Sequence, residues 1–309
     1  MTDTNTTNEN ETQDYRSNSL GRLTMRRIFR QRSAVIGGTI LIFLILVAIF
    51  APAIAPYSPE EVLIGKEDVS KREGPCIHLL GCDEEKPQHI LGVDGNVRDQ
   101  FSRLVYGTRY SLYIGFTSVG FAIIVGTILG AIAGYASSWP DNLIMRFMDV
   151  LLAFPSLLLA IAIVTVLGRG LQNALLAIAI VSIPVYARVV RASVLSVKEQ
   201  EFVAASRALG GSHFHILFRR ILPNAISPLI VQGTLGIASA ILSAAALSFL
   251  GLGAQPPTPE WGTMLGSERN QVFSAPHLVF FPGLAIMLTV LAFNLLGDGL
   301  RDAIDPRLK

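Results

Sequence analysis

Charge is scarce in this sequence and nearly balanced. Only 16% of its 309 residues are charged, and 25 Lys and Arg stand against 23 Asp and Glu for a net +2. So small an excess offers no basic field for a polyanion, and nucleic acid is not expected as a partner. Cysteine is almost missing: Cys76 and Cys82 are the only two. The five histidines, His78, His89, His213, His215 and His277, are scattered. His213 and His215 have no acid or cysteine at ligand spacing, so no metal site is expected. The phosphate-cradling string GxxxxGK followed by Ser or Thr is absent, which excludes ATP hydrolysis by the chain itself. No nucleophile and base can be assembled from spacing. The chain reads as a non-enzyme with no cofactor of its own.

Apolar side chains are in excess. Hydrophobic residues make up 51% and the mean hydropathy is +0.49, well above a soluble domain. A membrane-crossing helix needs about 20 such residues in a row. The first run extends from Ala34 to Ala55. Five more lie at about Arg109–Tyr135, Leu143–Leu167, Leu171–Val190, Pro223–Leu252 and His277–Gly297. The pattern predicts an all-α polytopic membrane protein with six transmembrane helices, its termini on the same side.

The start of the chain sets the orientation. Met1–Asn18 is rich in Thr, Asn and Glu and too polar to fold. Arg22, Arg26, Arg27, Arg30 and Arg32 then precede the first apolar run and hold its start in the cytoplasm. The run is too long and its polar lead too extended for a cleaved signal, so an uncleaved helix is expected. The predicted organisation is a cytoplasmic tail at 1–33, a first helix at 34–56 and an extracytoplasmic loop at 57–108. A core at 109–298 contains a cytoplasmic loop at 191–222, and a cytoplasmic tail follows at 299–309. Cys76 and Cys82 fall in the outer loop, where an oxidising compartment allows a disulfide; free thiols, or a metal pair with His78 or His89, are the alternatives.

Small residues mark two helix faces. Gly126, Gly130 and Gly134 recur at spacing four, as do Gly236, Ala240, Ala244 and Ser248. Such stripes let backbones approach closely. The first is expected to pack within the subunit; the second is the better candidate for a pathway or a partner subunit. Asp149 is an acid inside the third apolar run, with Arg146 at spacing three as a ready partner. Pro155 is expected to kink that helix. Trp261 suits a membrane interface.

The most telling segment is polar and basic and lies between two apolar runs. It runs from Phe202 through Ala204, Ala205, Ser206, Arg207 and Ala208 to a Gly210-Gly211 break, then through Arg219 and Arg220 to Leu222 and Pro223. It resembles the cytoplasmic loop of inner-membrane permeases of ATP-binding-cassette importers: Glu-Ala-Ala, three residues, Gly, then Ile-x-Leu-Pro. Aligned on Gly210 and Leu222-Pro223, Ala205 and Ser206 take the two alanine positions. Ala204 falls where that family has Glu, and Arg220 where it has Ile.

Other strings narrow the resemblance to dipeptide and oligopeptide permeases of the C type. One runs from His89 to Leu112, although Val93 and Val97 stand where that family usually has Thr and Gly. Another joins Ser248–Gly253 to Gln255-Pro256-Pro257 and Pro259–Gly262; a third is the tail Phe293–Asp302 with Asp305-Pro306-Arg307. The resemblance implies a type I importer permease fold and a peptide cargo. It also implies a second, homologous permease, two ATP-binding subunits gripping residues 202–220, and an extracytoplasmic substrate-binding protein. Nickel importers share the family and are the alternative cargo class. An ion-coupled secondary transporter, with Asp149 carrying a proton, is the reading from another class.

Overall fold

The computed structural model describes residues 28–136 and 138–304. The polar tail Met1–Asn18, three of the arginines (Arg22, Arg26 and Arg27) and Asp305-Pro306-Arg307 lie outside the described residues. The described residues are helical, with only isolated bridges between extended segments.

Helix α1 (Arg32–Ile54) has 23 residues and spans about 34 Å at 1.5 Å per residue, enough to cross the hydrocarbon core. Helix α2 (Gln100–Ala136) has 37 residues, about 55 Å, and must project beyond the bilayer. It begins nine residues before the predicted Arg109. The reason is local: the Asp99 carboxylate accepts from the Ser102 backbone N–H at 2.7 Å and caps the polar first turns.

The third predicted span is broken rather than kinked. Helix α3 (Trp139–Leu152) and helix α4 (Ser156–Leu167) meet at 92°. Pro155 lacks an N–H and disfavours a helical residue before it, so the ladder stops there. Helix α5 (Leu171–Lys198) continues two turns past the predicted end. A short helix α6 (Glu201–Ala208) follows. Helix α7 (His213–Ile216) then passes through a π turn at Leu217–Ile221 into α8 (Leu222–Ala225). Helix α9 (Ser227–Phe249), a short α10 (Trp261–Glu268) and α11 (His277–Ile304) complete the described chain. Five helices are long and apolar enough to cross a membrane, and the bent α3–α4 pair makes a sixth pass if counted as one. Asp298, Arg301 and Asp302, expected past the last helix, lie within α11.

The most extensive packing joins α2 to α5. Gly126, Gly130 and Gly134 make it possible. A Cβ on Gly126 would meet Tyr186 Cβ at 2.7 Å, one on Gly130 would strike the Ala187 carbonyl, and one on Gly134 would lie 2.9 Å from the Arg191 carbonyl. Helices α1 and α11 close the other flank, where Gly37 abuts Ala292 and Leu296. The bundle has two unlike ends. One carries the residue 55–99 loop and α10; the other carries α6 to α8.

Candidate coupling site, pathway and outer cap

Helix α6 stands almost free of the bundle. Val203 is fully buried and anchors it, while Ala204, Ala205, Arg207 and Ala208 are exposed. Phe202 is 39% exposed, and the half-buried Ser206 donates its hydroxyl to the Phe202 carbonyl at 2.9 Å. The helix ends in a Schellman turn. Gly211 N–H donates to Ser206 O and Gly210 N–H to Arg207 O, both at 3.1 Å, with Gly210 at φ +77°. Nothing lies within 4 Å of a Cβ on Gly210, so that glycine serves backbone conformation and not packing.

Past the turn, Ser212 caps α7, its hydroxyl accepting from His215 N–H at 3.3 Å. Leu209 is 89% exposed and Phe214 72%, with the Phe214 and Phe218 rings 4.4 Å apart. The result is an apolar, small-residue surface on a projecting helix. Arg219 and Arg220 are exposed on the π turn, Leu222 is half-buried, and Pro223 sits in the first turn of α8, where its missing N–H costs nothing.

The second stripe is divided by the fold. Gly236 and Ala240 line a cavity of about 210 Å³ between α4, α5 and α9. Gln232, Ser239, Ser243 and Ser182 share the lining, and no charged side chain does. The Tyr186 hydroxyl occupies the space where a Cβ on Gly236 would stand. Ala244 belongs to the main apolar core instead. Ser248 serves the loop after α9: its hydroxyl accepts from Ala254 N–H at 3.2 Å.

Asp149 pairs with Arg188 of α5 at 2.6 Å, not with Arg146. One turn pair away, Asp141 holds Arg191 through two bonds of 2.5 and 2.6 Å. Both ion pairs fasten α3 to α5.

The cap formed by the 55–99 loop and α10 is tied at many points. Cys76 and Cys82 are joined in a disulfide, their Cα atoms 5.4 Å apart. Asp94 holds Arg98 at 2.7 Å and Arg103 at 3.4 Å, all three side chains nearly buried. Arg103 also donates to the carbonyls of Pro59 and Pro257, joining two loops distant in sequence. Arg72 reaches Glu268 at 2.8 Å. His89 lies between Asp99 at 2.8 Å and Glu67 at 3.1 Å, and Tyr57 donates to Glu67 at 2.9 Å. Burial opposes a charge on His89, but Asp99 and then Glu67 outweigh it and raise its pKa. Burial, and then Glu67, push Tyr57 up to about 12.

Glu260 caps α10 through the N–H groups of Gly262 and Thr263, at 3.0 and 2.8 Å. Burial raises its pKa against those bonds. Trp261, expected at a lipid interface, is 1% exposed and donates to the Leu104 carbonyl at 3.0 Å. Val97 has φ +57° and is buried against Leu63 and Val93, a left-handed position where a β-branched residue is strained. Of these features, sequence reasoning missed Val203, Glu260 and the Asp94 and His89 clusters. The capping pattern Asp99-x-x-Ser102 was the available signal for one of them.

Fold and site together define a polytopic helical membrane protein with a short helix, α6, projecting from one end. Residues 126–309 match the family model of binding-protein-dependent transport system inner membrane components, and residues 19–75 match the N-terminal transmembrane domain of oligopeptide transport permease C. The chain belongs to this permease family and is a multi-pass inner-membrane protein. It is 50% identical over 295 residues to the dipeptide transport system permease protein DppC of Alkalihalophilus pseudofirmus, covering 96% of this chain and 92% of that one. It is 50% identical over 284 residues to the glutathione transport system permease protein GsiD of Escherichia coli, covering 92% and 89%. It is 48% identical over 282 residues to the di/tripeptide transport system permease protein DppC of Pseudomonas aeruginosa, covering 91% and 90%. In fold it is similar to an inward-facing structure of the MetNI methionine ABC transporter, at TM-score 0.55 and 20% identity, covering 66% of this chain and 98% of that one.

Proposed function

We propose that this chain is one of two permease subunits of an ATP-driven importer that carries small peptides, of two or three residues, across the cytoplasmic membrane. The carrying observation is the projecting α6 with its Schellman turn and exposed Leu209 and Phe214. An apolar surface this exposed at the end of a membrane bundle fits a groove on a soluble partner. Two ATPase subunits bind and hydrolyse the ATP; one grips this chain around Phe202–Arg220. A second, homologous permease supplies the other wall of the path. A substrate-binding protein delivers cargo at the cap.

The orientation follows from the same features. Arg30 and Arg32 lie at the start of α1 on the side of α6, as cytoplasmic basic residues do. The cap holds the Cys76–Cys82 disulfide, which suits an oxidising exterior. Both termini are then cytoplasmic. Cargo passes the cavity lined by Gly236, Ala240 and Tyr186, whose hydroxyl and amide neighbours hydrogen-bond a peptide without selecting its charge. A nickel cargo has less support, since no His, Cys, Asp or Glu lines that cavity. A proton carried on Asp149 has less support too, because Arg188 holds it as an ion pair.

Uptake of radiolabelled di- and tripeptides tests the reading. Leu209→Asp should abolish uptake while the amount of chain in the membrane is unchanged; undiminished uptake overturns the coupling assignment. Ser212→Cys should react with an impermeant thiol reagent only from the cytoplasm, and Thr258→Cys only from outside. Reaction of both from one side overturns the six-crossing orientation.

A further inference from the structure

Two cavities at the cap end share a wall. The upper one, about 330 Å³, is partly polar and is lined by Tyr57, Gln88 and Asp99. The lower one, about 370 Å³, is a groove between α1 and α11 whose floor is α2 and Trp261. Its lining is apolar almost throughout. Ile54 and Phe101 line both cavities, so the groove opens at its top into the polar chamber. Each volume is within the range of small-molecule sites.

The groove lies in the membrane-spanning part of the chain. Its residues on α1 run from Phe43 to Ile54, eleven residues or about 16 Å along the helix axis. That length is about half of the 30 Å hydrocarbon core, the depth of one leaflet. A hydrocarbon chain entering from the bilayer would therefore end its polar head at Tyr57, Gln88 and Asp99.

The charge in the chamber selects among heads. Asp99 and Glu67 are two carboxylates around the one His89 imidazole, so the cluster is net negative in either protonation state of His89. Tyr57 stays neutral, its pKa being near 12. No Lys or Arg lines either cavity. An anionic headgroup would meet repulsion there, whereas an ammonium finds an acceptor in the exposed Gln88 side chain and a favourable field from the buried Asp99 behind it.

We propose that the joined cavities form a binding site for a single phospholipid of the cap-side leaflet, one acyl chain in the α1–α11 groove and a primary-amine headgroup in the Tyr57–Gln88–Asp99 chamber. The site wedges between α1 and α2 at the foot of the cap. It does not depend on the cargo or on which face is cytoplasmic.

The experiment uses the assembled transporter in nanodiscs of equal phosphatidylethanolamine and phosphatidylglycerol with matched acyl chains. A photo-reactive amino acid replaces Phe101, and in a second sample Ile49, an exposed α1 residue not in the groove. The expected adduct at position 101 is phosphatidylethanolamine in excess over phosphatidylglycerol, with no such preference at position 49. Ala285→Trp, which fills the groove, should abolish the adduct at 101 and leave that at 49. Equal headgroups at 101, or an adduct that survives Ala285→Trp in a complex of normal elution, means surrounding lipid only and overturns the proposal. An adduct to the second permease chain overturns it as well, by showing that a helix covers the groove. Should Ala285→Trp fail to assemble, the headgroup preference at 101 against 49 decides alone.

Discussion

The two ends of this bundle are built on opposite terms. At the cap, a disulfide, a buried Asp94–Arg98–Arg103 cluster, the Arg72–Glu268 pair and the His89 clamp tie the 55–99 loop to itself, to α2 and to α10. At the coupling end, α6 is held by the single buried Val203 and a backbone turn, with its apolar side chains facing outward. The cap pairs its charged groups with one another. The α6 end leaves apolar side chains uncovered, and on the function proposed above an ATPase subunit covers them. Damage at the first should therefore appear as lost stability, and damage at the second as lost coupling in a stable protein.

The strongest test of that contrast is Asp94→Ala. It strands two nearly buried guanidinium groups, and breaking such a cluster costs about 3–5 kcal/mol. The melting temperature of the purified complex should fall sharply, along with the amount of chain in the membrane. Cys76→Ser comes next. The seven-residue ring it opens is worth roughly 2–3 kcal/mol on the chain-entropy model. It should lower binding-protein stimulation of ATP hydrolysis more than the membrane level of the chain. Mass spectrometry showing two alkylatable thiols in protein purified without reductant would remove its basis.

Gly210→Val tests the other end. A β-branched residue at φ +77° costs about 1–3 kcal/mol, confined to the exposed turn. The chain should reach the membrane at its usual level while uptake and stimulated ATP hydrolysis fall; Gly210→Asn should be milder. Unchanged uptake with Val would mean that the turn transmits nothing.

The smallest effect concerns pH. The raised pKa of His89 means that its clamp on Asp99 and Glu67 is complete below the ordinary value of about 6.5 and is lost as pH rises through the raised one. The melting temperature should therefore decline over that rise, and His89→Gln should flatten the profile. A variant with the wild-type slope would assign the slope to another group.

The spans were legible because lipid demands long apolar runs, and Ala34–Ala55 and His277–Gly297 say so plainly. Their ends were less legible. Hydropathy reports where lipid stops, not where the helix stops, so Arg191–Lys198 went unread as helix, and the helix legible over 97–105 went unread as the start of α2. The coupling segment could be read because its glycines, alanines and proline act locally. The cap could not. Its ties join residues such as Arg72 and Glu268, 196 positions apart, and nothing in either neighbourhood names the other. Asp149 shows the same limit: Arg146 was near in sequence, but Arg188, 39 positions away, was near in space.

The break between α3 and α4 has a consequence for the cavity. Residues Ala153–Pro155 leave the helical ladder at membrane depth, and Leu152 and Ser156 beside them line the cavity. Irregular backbone is tolerated there only if buried in protein or wetted. The 92° turn therefore sets the shape of one wall of that cavity, and it is written locally, by a ring that lacks an N–H, rather than by any partner across the bundle. A straight helix through the same residues would present a flat wall there, so the contour of the cavity rests on the single imino acid Pro155.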